Sequence, residues 1–338
     1  MSILVVAPAI MPIDPDRYGG IERLSLLFAR GLNEAGHRVG VIAPFGSRLP
    51  LGVAHHPSGI PLEDFREPSL LPALLTYYRG YDVVLDFSHS HPTRLTELAA
   101  ISPIWHDPGI MQPVLPPHNV AALSGWQAAR LRIYQGQTSR VLDPIVYNET
   151  YYSRVEGLQV SERCCFIGIM SPEKGALEAA RACKALGVGL DIIGAQTPFN
   201  PPAYMEAVRA LCDGEQIVYH GEVGEEAKRE VLRSSIALLY PVSYPPGTGE
   251  SHSHKMVEAF GVGTCCIAYD QGAMREVIDE GVTGLLINGP EEIPGALARV
   301  VNIDRGRCAE RAVERWSIPA TMERWLPVME QVAGGLRW

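Results

Sequence analysis

Two carboxylates, Glu250 and Glu258, stand eight positions apart in the segment Gly247-Thr-Gly-Glu-Ser-His-Ser-His-Lys-Met-Val-Glu-Ala259, where a loop rich in glycine and proline runs into an apolar stretch. Ionised carboxylates only accept hydrogen bonds, so the pair is suited to holding hydroxyl groups. Ile236 to Tyr240 upstream reads as a buried strand, and Pro245-Pro-Gly-Thr-Gly249 breaks any regular element. A helix is therefore expected to begin near Ser251 or Ser253. Its first turn would present unpaired backbone N–H groups and the positive end of the helix dipole, a natural place for a phosphate. Glu250 would lie beside that anion, whereas Glu258, two turns along, is too far into the helix to cap it.

Other residues invite comparable readings. Lys174, in Ser171-Pro-Glu-Lys-Gly175, follows a strand-like run; its ammonium could reach a diphosphate and offset charge on a leaving group, although Pro-Glu-Lys is also ordinary helix-start chemistry. Gly19 and Gly20, in Arg17-Tyr-Gly-Gly-Ile-Glu-Arg23, either allow close backbone approach to a phosphate or sugar or form a plain strand-to-helix turn. Their spacing is not the Gly-x-Gly-x-x-Gly of dinucleotide-binding proteins. His106, in His106-Asp-Pro-Gly109, follows the strand expected over Ile101–Trp105 and could hydrogen-bond a substrate hydroxyl, move a proton, or cap its loop. His89 and His91 lack a third ligand, so no metal site is assigned. His252 and His254 flank the expected anion site, as ligand contacts or as exposed loop side chains. Gly-x-Ser-x-Gly and the P-loop pattern are absent, which disfavours hydrolase and kinase chemistry.

Such groups need a scaffold that brings distant loops to one edge. Ser2–Ala7 is a continuous apolar run of the kind found in a strand buried on both faces; a helix over Ile21–Ala35 and a strand over Arg38–Ala43 follow. The alternation continues with helices near Leu70–Arg79 and Thr93–Ala100, strands at Asp82–Asp86 and Ile101–Trp105, and a strand and helix over Val120–Ser124 and Gly125–Arg140. A second series begins at Cys164–Gly168 and runs through helices at 175–186, 203–212 and 225–234 and strands at 189–194, 216–220, 236–240 and 264–269. This pattern predicts an α/β fold of two doubly wound Rossmann-like domains facing a central cleft, where strand ends and helix N-termini can hold a ligand. The expected division is 1–160, 161–316, and a C-terminal helix within 317–338 that packs back on the first domain.

The 338 residues suffice for two domains of about 150 residues each, and 46% apolar with 20% charged residues is the balance of a globular protein. A net charge of −9 argues against nucleic acid as a main partner. Seven cysteines without metal or redox spacing are expected as buried thiols of a reducing compartment. With no bilayer-length apolar run and no basic-then-apolar leader at the N-terminus, the expected location is cytoplasmic.

Taken together, Gly19-Gly-Ile-Glu22, His106-Asp107, Phe166-Ile-Gly-Ile-Met-Ser-Pro-Glu-Lys-Gly175, His220-Gly-Glu-Val223, Glu250 to Ala259 and Glu276-Val-Ile-Asp-Glu-Gly-Val-Thr-Gly284 resemble the family 4 (group 1) retaining glycosyltransferases of GT-B fold. The resemblance covers nearly the whole chain. It implies an acceptor-binding first domain and a second domain that binds a nucleoside-diphosphate sugar, with retention of anomeric configuration. On this reading Lys174 binds the diphosphate, Glu258 the ribose, and Glu250 with Ser251, His252 and Ser253 the transferred sugar. Gly221 and Val223 border the nucleobase, Gly19 and Gly20 face the donor phosphates, and His106 contacts the sugar; His106, Glu250 and Lys174 are the catalytic candidates. No metal or other cofactor is implied. The acceptor is a glycan, lipid or small molecule, a lipid acceptor implying peripheral contact with the inner membrane face. The alternatives are a catalytically weak nucleotide-sugar-binding protein and a nucleotide-sugar epimerase of the same fold.

Two departures from the family pattern bear on activity. Ile169 stands where an arginine is usual, and Ser251-His-Ser253 replaces Gly-Phe-Gly. Loss of one charged hydrogen bond costs about 1.5–3 kcal/mol unless another group compensates, for which Arg17, Arg23, His252, His254 and Lys255 are the candidates.

Overall fold

Uninterrupted apolar runs form the central strands, because a strand covered on both faces must be apolar on both. A computed structural model describes residues 1–14, 19–59, 67, 69–104, 119–136, 138–196, 201–245 and 249–338. The chain divides into two compact units, Met1–Val146 with Trp316–Trp338, and Tyr147–Arg315. The division falls after Val146, where the sequence placed it near residue 160. Residues 147–160 go with the second unit because Tyr147 and Tyr152 pack there: a Cβ on Gly261 would meet the Tyr147 ring at 2.3 Å and the Tyr152 carbonyl at 2.7 Å.

The first unit contains β1 (Ser2–Val6), β2 (Arg38–Ala43), β3 (Ala54–Pro57), β4 (Val83–Asp86) and β5 (Ala100–Ile101), parallel in the order β3-β2-β1-β4-β5. Helices α1 (Gly20–Glu34), α2 (Leu71–Tyr77) and α3 (Gly125–Gln135) accompany it, with β6 (Val120–Ala122) paired to β7 (Ser139–Val141). Phe28 of α1 meets Phe87 and Trp325 edge-on, at centroid distances of 5.2 and 5.1 Å. Trp325 belongs to the C-terminal helix Ile318–Ala333, whose Met322, Met329 and Val332 enter the same core.

Two local expectations needed correction, and β3 carried none. The helix expected over Thr93–Ala100 is a single tight turn, Pro92–Leu95, followed by β5. The buried Asp86 carboxylate accepts from the Thr93 amide at 3.2 Å and hydroxyl at 2.6 Å, which holds the chain in a turn rather than a helix. β3 was not foreseen because Ala-His-His-Pro has no apolar alternation; it is a partly exposed edge strand, as its proline requires. α3 stops short of Arg140 because Gly136 adopts a left-handed conformation (φ 65°) that closes the helix.

The second unit is a six-stranded parallel sheet made of β8 (Arg163–Ile167), β9 (Gly189–Ile193), β10 (Ile217–Gly221), β11 (Leu238–Tyr240), β12 (Cys266–Tyr269) and β13 (Gly284–Ile287). Its order is β10-β9-β8-β11-β12-β13, so the winding reverses between β8 and β11. The helices are α4 (Ala176–Leu186), α5 (Pro202–Arg209), α6 (Glu225–Ser234), α7 (His254–Gly261), α8 (Met274–Val277), α9 (Ile293–Val300) and α10 (Arg305–Trp316). All seven cysteines are free thiols; Cys212 is half-buried and the others are buried. No helix among the described residues is long and apolar enough to cross a membrane.

Candidate functional site at the switch point of the second unit

In an open parallel α/β sheet, loops leaving adjacent strands diverge where the winding reverses, and the gap at the carboxyl ends can receive a ligand. Here those loops follow β8 and β11, and they carry Lys174 and Glu250. Gly175 (φ 80°) makes their approach possible: a Cβ there would lie 2.3 Å from the Pro241 carbonyl oxygen. The Ser243 amide then donates to the Glu173 carbonyl at 2.9 Å, tying the two loops together.

Lys174 Nζ donates to the Tyr244 hydroxyl at 2.8 Å and to Glu250 Oε1, and the Tyr244 hydroxyl donates to the same oxygen at 3.2 Å. Burial would lower the pKa of Lys174, but the Glu250 carboxylate and the phenols of Tyr240 and Tyr244 hold it above the usual lysine range. Burial, with Glu250 adding to it, raises the Tyr244 phenol, so a neutral hydroxyl bridges Lys174 and Glu250. The Glu250 loop is braced from the chain after β12. Gly272 (φ 64°) has no room for a side chain, since its Cβ would lie 2.5 Å from the Glu250 carbonyl oxygen, and the Ala273 amide donates to that oxygen at 2.9 Å. Gln271 exchanges two hydrogen bonds with the Tyr244 backbone, at 2.7 and 3.0 Å.

α7 begins at His254, with Ser253 as the extended N-cap residue (φ −145°, ψ 116°) and no side-chain capping bond. Ser251 is half-buried, while His252 and Ser253 are buried. The Ser253 amide donates to His252 Nδ1 at 2.7 Å, which orients the imidazole within the turn. His252 is thus an internal part of the helix start and not an exposed loop side chain.

Glu258 is buried, and its Oε2 accepts from Lys228 Nζ of α6 at 2.8 Å. Lys228 also pairs with Glu225 at 2.9 Å, and Glu225 accepts from the Tyr152 hydroxyl at 2.5 Å. The chain Tyr152–Glu225–Lys228–Glu258 balances the Glu258 charge from within. Gly221 (φ 72°) ends β10, and its carbonyl accepts from the Gly194 amide at 2.9 Å. Gly194 in turn crosses Gly168 at the end of β8 so closely that a Cβ on it would lie 1.6 Å from the Gly168 oxygen. Val223, half-buried, lies in the turn before α6. The ends of β8, β9 and β10 are therefore laced together by glycines.

Lys174 and Glu250 thus meet directly, Ser251, His252 and Ser253 continue from Glu250 into α7, and Glu258 is turned into the fold toward Lys228. Gly19 and Gly20 belong to the first unit, at the start of α1, where the Arg23 amide donates to the Gly19 carbonyl at 3.0 Å. Beside them Glu22 is buried, and burial raises its pKa. His106, Asp107 and Arg17 lie outside the described residues. Tyr244, Gln271, Gly272 and Lys228 were not singled out from sequence. Lys228 had a readable signal, falling four positions before Leu232 on the buried face of α6, but its Glu-Glu-Ala-Lys setting resembles a solvated surface. Among the described residues no three His, Cys, Asp or Glu side chains cluster as metal ligands would.

Residues 161–302 match the family model of glycosyl transferases group 1. No curated protein sequence matches the chain significantly. Among solved structures, the chain is similar over its full length to AviGT4, a glycosyltransferase involved in avilamycin A biosynthesis (21% identity, 100% of both chains, TM-score 0.73). It is also similar to sucrose-phosphate synthase from Thermosynechococcus elongatus (15% identity, 99% of this chain and 100% of that one, TM-score 0.77). A third similar structure is Anabaena HepE, in complex with UDP and glucose (13% identity, 98% and 99% of the two chains, TM-score 0.72). The fold is that of the GT-B glycosyltransferases, two Rossmann-like domains in one chain, and the stretch carrying Lys174, Glu250 and Glu258 is the stretch similar to group 1 glycosyl transferases.

Proposed function

We propose that the protein is a retaining glycosyltransferase that moves a hexose or related sugar from a nucleoside diphosphate to a hydroxyl acceptor. The observation that carries this reading is the convergence of Lys174 and Glu250, distant in sequence, on Tyr244 at the switch point of the second unit's sheet. Similarity of residues 161–302 to group 1 glycosyl transferases supports it. HepE, solved with UDP and glucose, makes a uridine nucleotide the first donor to test.

In this proposal Lys174 exchanges part of its contact with Glu250 for the diphosphate and offsets the charge that develops as the bond from sugar C1 to phosphate oxygen breaks. Glu250, held by the Gly272 turn, accepts hydrogen bonds from the sugar hydroxyls. The acceptor oxygen bonds to C1 on the face the phosphate leaves, and its proton passes to the departing phosphate oxygen, which conserves the anomeric configuration. Glu258 receives the ribose hydroxyls, and Gly221 and Val223 border the base. The roles expected of Gly19, Gly20, Ser251, His252, Ser253 and His106 belong to the same proposal, as do turnover without added metal and a cytoplasmic site of action.

Thermal-shift measurements with UDP, GDP, ADP and TDP, then with the matching sugars, identify the donor through ligand-linked stabilisation. Transfer in the presence of a chelator, with the product anomer read by NMR, then tests the reaction. Wild-type turnover in both Lys174→Ala and Glu258→Ala would overturn the site. Ile169 favours the second reading, a binding protein without turnover; donor binding with neither transfer nor hydrolysis over a broad acceptor panel would establish it. Isomerised donor in the absence of any acceptor would instead identify an epimerase.

A further inference from the structure

Among the described residues Lys255 is a cation without an acidic partner. It stands second in α7, half-buried, and among the described residues its ammonium makes no hydrogen bond and no ion pair. It lies over the face of Tyr240, 5.7 Å from Nζ to the ring centroid. The nearby carboxylates are engaged elsewhere, Glu250 by Lys174 and Tyr244, and Glu258 by Lys228. Burial, and then the like charge of Lys174, bring the pKa of Lys255 down to about 8. An ammonium withdrawn from water beside another ammonium is unfavourable unless something supplies negative charge. Glu250 and Glu258 act on Lys255 only through charge at a distance, and among the described residues neither forms an ion pair with it.

Nζ lies 3.5 Å from where a Cβ on Gly168 would stand, with the Phe166 ring 3.2 Å from the same point, so the missing side chain at the end of β8 lets the ammonium approach the backbone there. The first turn of α7 follows Ser253, whose side chain makes no capping bond. Lys174 approaches from the turn after β8.

We propose that Lys255 is a second cationic contact for the donor diphosphate, acting with Lys174 and receiving phosphate oxygens over Gly168 and the first turn of α7. The inference rests on the nucleotide-sugar reading for the identity of the diphosphate, but the lack of an ion pair at Lys255 among the described residues does not depend on it. It also gives a use to an otherwise unfavourable residue: the cost of the buried ammonium in the free protein is offset when the ligand binds.

The test is calorimetric titration of the full-length protein with inorganic pyrophosphate and with UDP, using wild type, Lys255→Met, Lys255→Arg and Lys174→Met. Lys255→Met is expected to weaken both ligands by about 10- to 100-fold, the scale of one lost charge-assisted contact. Its unfolding temperature should be equal to or above wild type, and Lys255→Arg should retain most of the affinity. Pyrophosphate bound by Lys255→Met as tightly as by wild type would overturn the inference, as would no pyrophosphate binding by wild type. If Lys255→Met binds UDP normally while Lys174→Met does not, the Lys255 role falls and the nucleotide-sugar reading stands. If UDP and the other nucleotides fail but pyrophosphate binds through Lys255, the nucleotide-sugar reading falls and the anion contact stands.

Discussion

Lys228 Nζ donates to Glu258 Oε2 at 2.8 Å from one helix to another, and both side chains are almost sealed from solvent. The pair is asymmetric, because Lys228 has a second carboxylate in Glu225. Lys228→Met should therefore cost about 3–5 kcal/mol by taking the ammonium away from two carboxylates at once, whereas Glu258→Gln, which leaves Lys228 its other partner, should cost about 1 kcal/mol. Urea unfolding checks the order, and equal losses would contradict it. Because Glu258 is assigned to the ribose, Glu258→Gln should nevertheless lower donor affinity more than its small loss of stability would suggest.

The Lys174–Glu250–Tyr244 trio separates chemistry from folding. Lys174→Ala leaves Glu250 its bond from Tyr244, so the expected loss of stability is about 1 kcal/mol, while kcat/KM for transfer should fall by about 100-fold. Steady-state kinetics beside a melting curve measures both. A large loss of stability with unchanged kcat/KM would make the lysine a structural strut.

Gly272 tests the support of Glu250 from behind. Gly272→Ala places a methyl group 2.5 Å from the Glu250 carbonyl oxygen at a φ of +64°, so the loop must shift. The expected cost is about 1–2 kcal/mol with a clear loss of sugar-donor affinity. If donor binding is unchanged, the position of Glu250 does not matter to it.

Lys255 makes a pH dependence. In the free protein it titrates at about 8, with Lys174, Tyr240, Glu250, Glu258 and Lys228 facing it or acting on it through charge. A bound diphosphate favours the charged form, so affinity should be highest below pH 8 and fall as pH rises through it, with net proton uptake on binding. Lys255→Met should flatten this profile. Stability has the opposite slope: the unfolded chain, with a lysine near 10.4, binds more protons than the folded one between about pH 8 and 10, so stability rises across that window. At pH 7 the full penalty is present, and Lys255→Met should stabilise the free protein by about 2 kcal/mol after allowance for partial exposure. Chemical unfolding at pH 7 and pH 9 checks both signs.

Much of the framework was legible because continuous apolar runs such as Ser2–Val6 and Arg163–Ile167 admit little but buried parallel strands, and helices such as Glu225–Ser234 announce their period. β3 and the turn at Pro92–Leu95 were not legible. One is an edge strand stabilised by pairing instead of by its own pattern, with His56 stacked on Tyr77, and the other is held by a buried aspartate whose partners are settled only by folding. Within the site, the linear sequence determined which groups were available: a lysine after one strand, two carboxylates at a helix start, glycines at the turns. Which charges cancel and which stay uncompensated was decided by tertiary structure, because Coulombic and hydrogen-bond energies depend on distance and burial. Folding commits Glu258 to Lys228 and Glu250 to Lys174, and it leaves Lys255 beside Gly168 with no ion pair among the described residues.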